Sequence, residues 1–178
     1  MRKPILFFKL NKLEDLIINS LRDNEEQFTV KLFKPSLIDS IFLSKIKPIF
    51  IVWFLFKFLG FFKNPYYIAF LYNKKKEVVH HFVLLPKCFK YPFMEESDLQ
   101  IGDVWTRDDY RGHNISSFLI SKVLKEFFNS GQNYWYLTEL ENHQSIRVAK
   151  KLNFQLHAEG WLESKIYFLF LKTNIYNI

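Results

Sequence analysis

One stretch of the sequence predicts a strand, a turn and a helix start in direct succession: Asp98-Leu-Gln-Ile-Gly-Asp-Val-Trp-Thr-Arg-Asp-Asp-Tyr-Arg-Gly-His-Asn-Ile-Ser116. Apolar and polar residues alternate from Leu99 to Trp105, which is the pattern of a half-buried strand. An Asp-rich turn then places Arg111 and Gly112 before a helix with apolar residues at helical spacing. The first turn of a helix has unpaired backbone N–H groups and a partial positive charge. The stretch therefore predicts an anion-binding site, and a pyrophosphate fits its chemistry.

Length and composition favour one folded domain, expected over residues 1–178. The chain has 178 residues, of which 49% are hydrophobic and 19% aromatic, enough to bury a large core. A formal net charge of +7 favours anionic partners, such as a nucleotide-bearing small molecule or an anionic membrane. No nucleic-acid-binding motif is present, so we expect no nucleic acid partner. The single cysteine, Cys88, excludes an intrachain disulfide and a cysteine-only zinc site, and we expect no bound metal.

Hydrophobic periodicity outlines the other elements. Alternation predicts strands, whereas apolar residues three and four apart predict helices. The predicted strands cover 27–33, 66–72, 77–85, 98–106, 134–138, 154–158 and 166–171. The predicted helices cover 12–22, 113–129 and 142–152.

Residues 36–63 form the most apolar segment and allow three interpretations. The run from Ile49 to Phe62 is apolar except for Lys57 and Gly60, and it is short beside the roughly 20 apolar residues of a membrane-spanning helix. It is a buried helix of the domain, a basic and aromatic surface helix that contacts a membrane or partner, or a spanning helix. In the surface interpretation, Lys57 extends its amine to the aqueous boundary.

The N-terminus resembles a signal peptide only over a short distance. The apolar run from Ile5 to Phe8 ends before Asn11 and Lys12, and no small-residue cleavage site follows. We therefore expect an unexported, cytoplasmic protein. Peripheral contact of residues 45–63 with the inner face of the membrane is a hypothesis that rests on composition.

Two blocks of the sequence resemble the GNAT superfamily of acyl-CoA-dependent N-acyltransferases. The first block, Thr106-Arg-Asp-Asp-Tyr-Arg-Gly-His-Asn-Ile-Ser116, is similar to the family's strand, turn and helix start for the CoA pyrophosphate. The second begins with Glu139-Leu-Glu-Asn-His-Gln-Ser145 and ends with Lys151-Leu-Asn-Phe154, similar to the family's Asn-x-x-Ser segment and its helix. Both occur in the family's order, and the resemblance is clearest over residues 66–160.

The resemblance implies a mixed α/β (α+β) GNAT-like fold. Its sheet would be mostly antiparallel, with two splayed parallel strands at the acyl-CoA site and helices on both faces. The implied activity moves an acetyl group from acetyl-CoA to a primary amine by direct attack on the thioester. The residues implied to bind CoA are Val104, Trp105, Thr106, Arg111, Gly112, His113, Asn114, Ile115, Ser116, Asn142 and Ser145.

Several positions depart from the family pattern or have a simpler role. Asn114 and Ser116 replace small family residues, but Asn tolerates left-handed backbone and Ser hydroxyls cap helices or bind phosphate. Arg111 has a surface ion pair as its alternative role, and Asn142 has the N-cap of its own helix. Ala149 stands where many members carry a Tyr that protonates the CoA thiolate. Tyr134, Tyr136 or water are alternatives for that proton.

Amide formation also needs a base for the amine and a donor for the oxyanion. A strand amide near Trp105 is the candidate donor. The candidate bases are His81, Asp103 just before the acyl site, and Glu139 at the end of the neighbouring strand. His80 and His81 point to opposite faces of their strand, so at most one can face the cleft. A histidine has the more suitable unperturbed pKa for this task.

The loop from Tyr91 to Thr106 resembles acyltransferases of bacterial surface-polysaccharide pathways. That resemblance implies a small-molecule amine acceptor, a nucleotide-linked amino sugar, on which Tyr91, Phe93 and Trp53 could stack unless they pack in the core. The alternatives are a peptide, polyamine or antibiotic amine, or a non-catalytic module that keeps the fold and binds a partner. A homodimer stays open as a hypothesis.

Overall fold

A computed structural model describes residues 2–21, 25–36, 48–88, 93–128, 131–164 and 171–176. In this part of the chain eight strands form one sheet in the order β2-β3-β4-β5-β6-β1-β7-β8. The strands are β1 (Arg2–Leu10), β2 (Thr29–Phe33), β3 (Tyr67–Tyr72), β4 (Val78–Pro86), β5 (Leu99–Thr106), β6 (Tyr134–Glu139), β7 (Gln155–Ser164) and β8 (Leu171–Tyr176). The helices are α1 (Ile49–Phe58), α2 (Ile115–Phe127) and α3 (His143–Lys151), with short 3₁₀ turns at Leu13–Asp15, Glu25–Gln27 and Asp108–Tyr110.

Among the described strands, β5 and β6 pair in parallel, and the other neighbouring pairs are antiparallel. A parallel pair needs a crossover, which α2 provides. Residues of α2 and α3 share one hydrophobic cluster with alternate residues of the central strands. Residues of α1 share a second cluster with the opposite face of β3 and β4. The predicted mixed fold, with one parallel pair and helices on both faces, is confirmed.

The apolar segment contains one described helix, α1, which is buried on one side only. Phe50 is fully buried against β3 and β4, whereas Phe58 and Leu59 are 75% and 63% exposed. Lys57 donates to the backbone carbonyls of Phe62 and Lys63, so its amine is engaged at the end of the helix. The described helices are all too short to cross a membrane. Residues 37–47 lie outside the described residues, and contact of this segment with a membrane or partner stays a prediction.

The predicted helix over 12–22 is wrong. A 3₁₀ turn covers Leu13–Asp15, and the described residues after it, to Leu21, are not helical. Leu16 and Leu21 are buried in the same cluster as α2 and α3. The backbone N–H of Asn19 donates to Ser121 Oγ of α2 at 3.3 Å. Contacts with α2 therefore stabilise this segment in place of helical hydrogen bonds. The leucine spacing correctly indicated that these side chains are buried, but it did not indicate their backbone conformation.

The ends of the chain also differ from the sequence prediction. The run from Ile5 to Phe8 belongs to β1, which lies between β6 and β7 near the middle of the sheet. The strand predicted over 154–158 extends to Ser164 as β7. Of the strand predicted over 166–171, only Leu171 is described, as the first residue of β8. Residues 129 and 130, at the predicted end of α2, lie outside the described residues.

Asp98 joins the chain segments at which β5 and β6 begin. Its carboxylate is buried and accepts the backbone N–H of Glu95 at 3.0 Å and the indole N–H of Trp135 at 2.8 Å. It also accepts the backbone and side-chain N–H groups of Asn133 at 3.2 and 2.9 Å. Because these donors come from both sides of the parallel pair, Asp98 fixes where the two strands start side by side.

We expect Asp98→Asn to lower the free energy of unfolding by roughly 1.5–3 kcal/mol, the range for a hydrogen bond to a charged group. The amide would keep the volume but present an N–H where donors converge. Urea denaturation measures this loss, which is interpretable when the free energy of unfolding depends on urea concentration with the same slope in both proteins. Asp15→Asn is a control at an exposed aspartate and should stay within about 0.5 kcal/mol of the wild type. Equal stability of the two variants would contradict this role of Asp98.

Candidate active site

A cleft opens where β5 and β6 separate. The two strands are in register only from Leu99 to Ile101 on β5 and from Tyr134 to Tyr136 on β6. Beyond these pairs both strands continue without pairing to each other and enclose a cleft of about 590 Å³. The lining residues are Val104, Trp105, Thr106, Tyr110, Arg111, Gly112, Asn114, Ile115, Ser116, Ser117, Tyr136, Asn142, Gln144, Ser145, Arg147, Val148 and Lys151.

A β-bulge marks the point where β5 leaves β6. In the register with β4, His81 pairs with Trp105 and Val83 pairs with Gly102, which gives β5 one extra residue opposite Phe82. Asp103 has a φ of 49°, in the left-handed region that few residues adopt. A bulge bends its strand and interrupts the ladder. The irregularity therefore exposes strand backbone at the mouth of the cleft.

The start of α2 closes the other end of the cleft. Gly112 and Asn114 have φ values of 84° and 64°, and Asn114 is the N-cap residue, with no capping hydrogen bond from its side chain. No acidic residue stands in the first turn. The first-turn amides have no helical partners, because a helix leaves its first N–H groups unpaired. This geometry suits an anion, and asparagine supplies the left-handed conformation in place of glycine.

Charged residues of α3 make the cleft attractive to anions. Arg111 lines the cleft but pairs with Asp108 at 2.7 Å, which is the alternative role that its sequence allowed. Arg147 and Lys151 also line the cleft, and within the described part of the chain neither has an ion-pair partner. Neither residue was among the site residues expected from the sequence. Their spacing of four residues, which puts them on one helix face with Val148, was the available signal.

The second sequence block places Asn142 and Ser145 at the cleft. The Asn142 side chain accepts the backbone N–H of Ser145 at 3.1 Å and so caps α3, as its alternative role predicts. Both residues also line the cleft, so capping and ligand contact are compatible. His113 is the one implied CoA contact that is not among the lining residues.

Tyr136 offers a protonated hydroxyl inside the cleft. It is the last residue of β6 that pairs with β5, and its side chain is almost fully buried. Burial raises the pKa of Tyr136 above its usual value of 10.0, although a hydrogen bond with Ser145 opposes the shift. The phenol therefore carries its proton at neutral pH. Ala149, where the family often has tyrosine, is fully buried in the core.

The structure brings two of the three candidate bases together. His81 Nε2 lies 3.4 Å from Asp103 Oδ2. The ring of His81 stacks on Trp105 at 5.3 Å and contacts Phe50 of α1 at 5.4 Å, so it lies on the α1 side of the sheet. Glu139 is separate from this pair, because it forms an exposed ion pair with Lys3 at 3.1 Å. None of the three candidate bases is among the residues that line the cleft.

His80 points to the opposite face, as strand alternation predicts. Its Nδ1 lies 2.8 Å from Thr106 Oγ1, which lies 3.1 Å from Ser116 Oγ. Burial, followed by the proximity of His81, lowers the pKa of His80 from 6.5 to about 3, although a hydrogen bond with the backbone of Trp105 opposes the shift. His80 is therefore neutral at physiological pH and is a poor proton acceptor. His80 was not among the catalytic residues expected from the sequence.

A model of the acetyltransferase (GNAT) family matches residues 48–154, which is more than half of the chain. The chain belongs to the GNAT acetyltransferase family. The matched range includes β5, α2, β6 and α3, the GNAT elements that enclose the cleft. Proteins of this family generally use acetyl-CoA as the donor in acetyl transfer. No curated protein sequence matches the chain.

Solved structures support the GNAT fold. A tandem GNAT protein from the clavulanic acid biosynthesis pathway has a TM-score of 0.61 at 11% identity, over 89% of this chain and 51% of its own. A GCN5-related N-acetyltransferase from Sphaerobacter thermophilus has a TM-score of 0.58 at 14% identity, over 89% and 50%. An aminoglycoside acetyltransferase from an uncultured soil metagenomic sample, in complex with sisomicin, has a TM-score of 0.52 at 10% identity, over 83% and 98%. The chain spans about half the length of the first two proteins, and identities this low establish the fold alone.

The neutral state of His80 predicts a loss of stability in acid. Its folded pKa of about 3 lies below its usual 6.5, so between these values the unfolded chain binds the extra proton. Stability present above pH 6.5 is lost as the pH falls toward 3, by at most roughly 1.4 kcal/mol per pH unit for one proton. Urea denaturation between pH 7 and 5 should therefore show a shallower loss in His80→Asn than in the wild type.

The matched control for this prediction is His157→Asn, because His157 is exposed on β7. This variant should keep the wild-type dependence of stability on pH. Identical slopes in wild type and His80→Asn would show that His80 does not resist protonation.

Proposed function

We propose that this GNAT protein is an N-acetyltransferase that transfers the acetyl group of acetyl-CoA to a primary amine of a nucleotide-linked amino sugar. The observation that carries the proposal is the cleft between β5 and β6, which runs from Val104, next to the bulge, to the uncapped start of α2. A neutral or cationic ligand would not need a helix start together with two uncompensated cations, Arg147 and Lys151.

The residues of the cleft fit acetyl-CoA. The stretch Val104 to Thr106 presents extended backbone that no strand of the described residues pairs on the β6 side, so it can hydrogen-bond the amide-rich pantetheine arm. The first-turn amides of α2 suit the pyrophosphate, and Arg147 and Lys151 add positive charge beside it. Acetyl-CoA supplies an acetyl group activated as a thioester.

Asp103 and His81 act together as the base in this proposal. Asp103 lies in the bulge where the strands separate, and His81 lies behind it at 3.4 Å. The acceptor attacks the thioester as a neutral amine, and the Asp103 carboxylate takes the proton that the nitrogen loses as the amide forms. His81, with its Nε2 3.4 Å from Asp103, can then take this proton from the carboxylate. Stacking on Trp105 and contact with Phe50 fix the orientation of the His81 ring. Positioned proton transfer of this kind contributes typically 10²–10⁴-fold to a rate.

The remaining two roles belong to the bulge backbone and to Tyr136. A bulge leaves strand N–H groups outside the regular ladder, so an amide at Val104 or Trp105 can donate to the acyl oxygen as it gains charge. Tyr136 holds a proton on its phenolic oxygen at the base of the cleft and can release it to the departing sulfur. This tyrosine on β6 thus takes the role that the family often gives to a residue at the position of Ala149.

The proposed acceptor binds on the α1 side of the sheet, beside His81. Trp105 stacks on His81, is 36% exposed and also lines the cleft, so its ring offers an aromatic surface to a sugar. Of the aromatic residues first considered, Phe93 packs on Phe7 and Trp135, and Trp53 packs on Phe62, so both serve the core. Tyr91 lies outside the described residues. The net charge of +7 is compatible with an anionic amino-sugar derivative.

Calorimetry with acetyl-CoA, followed by a thiol-release screen against nucleotide-linked amino sugars, tests the proposal. Binding together with turnover on a sugar would support it. Binding with turnover only on a peptide, polyamine or antibiotic amine would replace the acceptor. Binding without turnover on any amine would favour a non-catalytic module, the interpretation to which Ala149 gives some weight. Absence of binding would contradict the proposal as a whole.

Arg147→Ala should weaken acetyl-CoA binding by roughly 10-fold, because a charge-assisted hydrogen bond contributes about 1.5–3 kcal/mol and the site is solvent-accessible. Lys150→Ala is the matched control, since Lys150 is an exposed cation of the same helix that does not line the cleft. Calorimetry at constant ionic strength measures both variants. An equal, small effect of the two substitutions would mean that general charge, and not the cleft, attracts the ligand.

Asp103→Asn should lower kcat by about 10²–10⁴-fold with little change in acetyl-CoA affinity, since the base acts on the amine. His81→Gln should have a smaller effect of the same kind. Initial rates and calorimetry on the acceptor identified by the screen separate the two parameters. Glu126→Gln, on the outer face of α2, is the control that should leave kcat unchanged. An unchanged kcat in Asp103→Asn would show that Asp103 and His81 are not the base, and Glu139 would then be the remaining candidate.

A further inference from the structure

A chain of three side chains connects the buried His80 to the wall of the cleft. His80 of β4 is completely buried, and Thr106 is its register partner on β5. His80 Nδ1 lies 2.8 Å from Thr106 Oγ1, and Thr106 Oγ1 lies 3.1 Å from Ser116 Oγ in the first turn of α2. Thr106 and Ser116 both line the cleft. The chain therefore ends at the uncapped helix start.

The tautomer of His80 sets the direction of these hydrogen bonds. The ring is neutral, because burial holds its pKa near 3, so one nitrogen carries the hydrogen. Nε2 is buried and has no hydrogen-bond partner in the described part of the chain. A buried N–H without a partner is rarer than a buried lone pair without one. The hydrogen therefore belongs on Nδ1, which donates to Thr106 Oγ1.

This direction propagates to the cleft. A hydroxyl has one hydrogen to donate. Because Thr106 Oγ1 accepts from His80, its own hydrogen is available to Ser116 Oγ, and the hydrogen of Ser116 is then available to the cleft. In the reverse direction Ser116 Oγ would donate its hydrogen to Thr106 Oγ1. Only the lone pairs of the Ser116 oxygen would then face the ligand. Such lone pairs would repel a phosphate, whereas an O–H donor strengthens its binding.

We propose that His80 is a positioning residue, which acts through Thr106 to present the Ser116 hydroxyl as a donor to a phosphate oxygen of CoA. The inference deepens the proposed function and rests on it. It assigns a ligand-binding purpose to a buried polar histidine that the acetyl-transfer mechanism does not use. It also explains how serine is accommodated at a helix position where the family usually has a smaller residue.

A double-mutant cycle on the affinity for CoA tests the inference without any acceptor. Ser116→Ala should weaken CoA binding by roughly 10-fold, as expected for the loss of one bond to a charged group. His80→Leu, which removes the donor at similar volume, should weaken binding several-fold in the wild type. In the Ser116→Ala background it should have no further effect, because the relay has no terminal donor left to orient.

Two further variants keep the test decisive. His80→Asn places an amide N–H near the position of Nδ1 and should restore most of the affinity that His80→Leu loses. Thr106→Val cuts the relay at its middle with little change in shape, and serves if His80→Leu does not fold by circular dichroism. Thr106→Val should likewise lose its effect in the Ser116→Ala background. Calorimetry with CoA measures each variant.

The outcomes separate the relay from the proposed function. His80→Leu, or Thr106→Val in its place, could reduce the affinity for CoA equally in the wild type and in the Ser116→Ala background. That result would show a merely structural role and overturn the relay. Unchanged affinity in Ser116→Ala would also overturn it. Failure of the wild type to bind CoA would instead contradict the proposed function itself. Wild-type binding with strong coupling between residues 80 and 116 would support both.

Discussion

The rest of the site depends on the separation of two parallel strands. β5 and β6 start together, because the Asp98 carboxylate accepts hydrogen bonds from both sides of the pair. They pair for three residues and then part where a bulge at Asp103 gives β5 one residue more than β4. Unpaired strand backbone is costly unless another group hydrogen-bonds to it. The gap therefore leaves strand backbone that a ligand can hydrogen-bond in place of water, and α2 and α3 form the walls around it.

The sheet divides the chemistry between its two faces. His80 and His81 are consecutive residues of β4, and their side chains therefore lie on opposite faces of the sheet. His81 meets Asp103 and Trp105 on the α1 side, where we propose that the amine arrives. His80 meets Thr106 on the side of α2, where the phosphates of CoA are expected. In this proposal β4 contributes a histidine to both the acceptor side and the donor side, and the bulge at Asp103 lies between them.

The sequence was informative where local rules decide structure. Left-handed Gly112 and Asn114, the cap at Asn142 and the strand from Leu99 to Thr106 are local features, and the residues themselves indicated each of them. The conformation of segment 12–22 was not indicated in this way, because its leucines pack against α2 and α3 and that packing replaced a helix. The positions of Arg147 and Lys151 at the cleft were not predicted either. They depend on how α3 packs against strands that are distant in the sequence. The pairing of His81 with Asp103 follows from a one-residue bulge, which alternation alone does not reveal.

Hydrogen–deuterium exchange with and without acetyl-CoA tests the central claim most directly, because it reports where the ligand binds. The account predicts slower exchange for amides of residues 112–117 at the start of α2 and of residues 104–106 on β5, with no change in α1. Unaltered exchange in both stretches, or protection confined to other parts of the chain, would contradict the claim that the gap between β5 and β6 is the acetyl-CoA site.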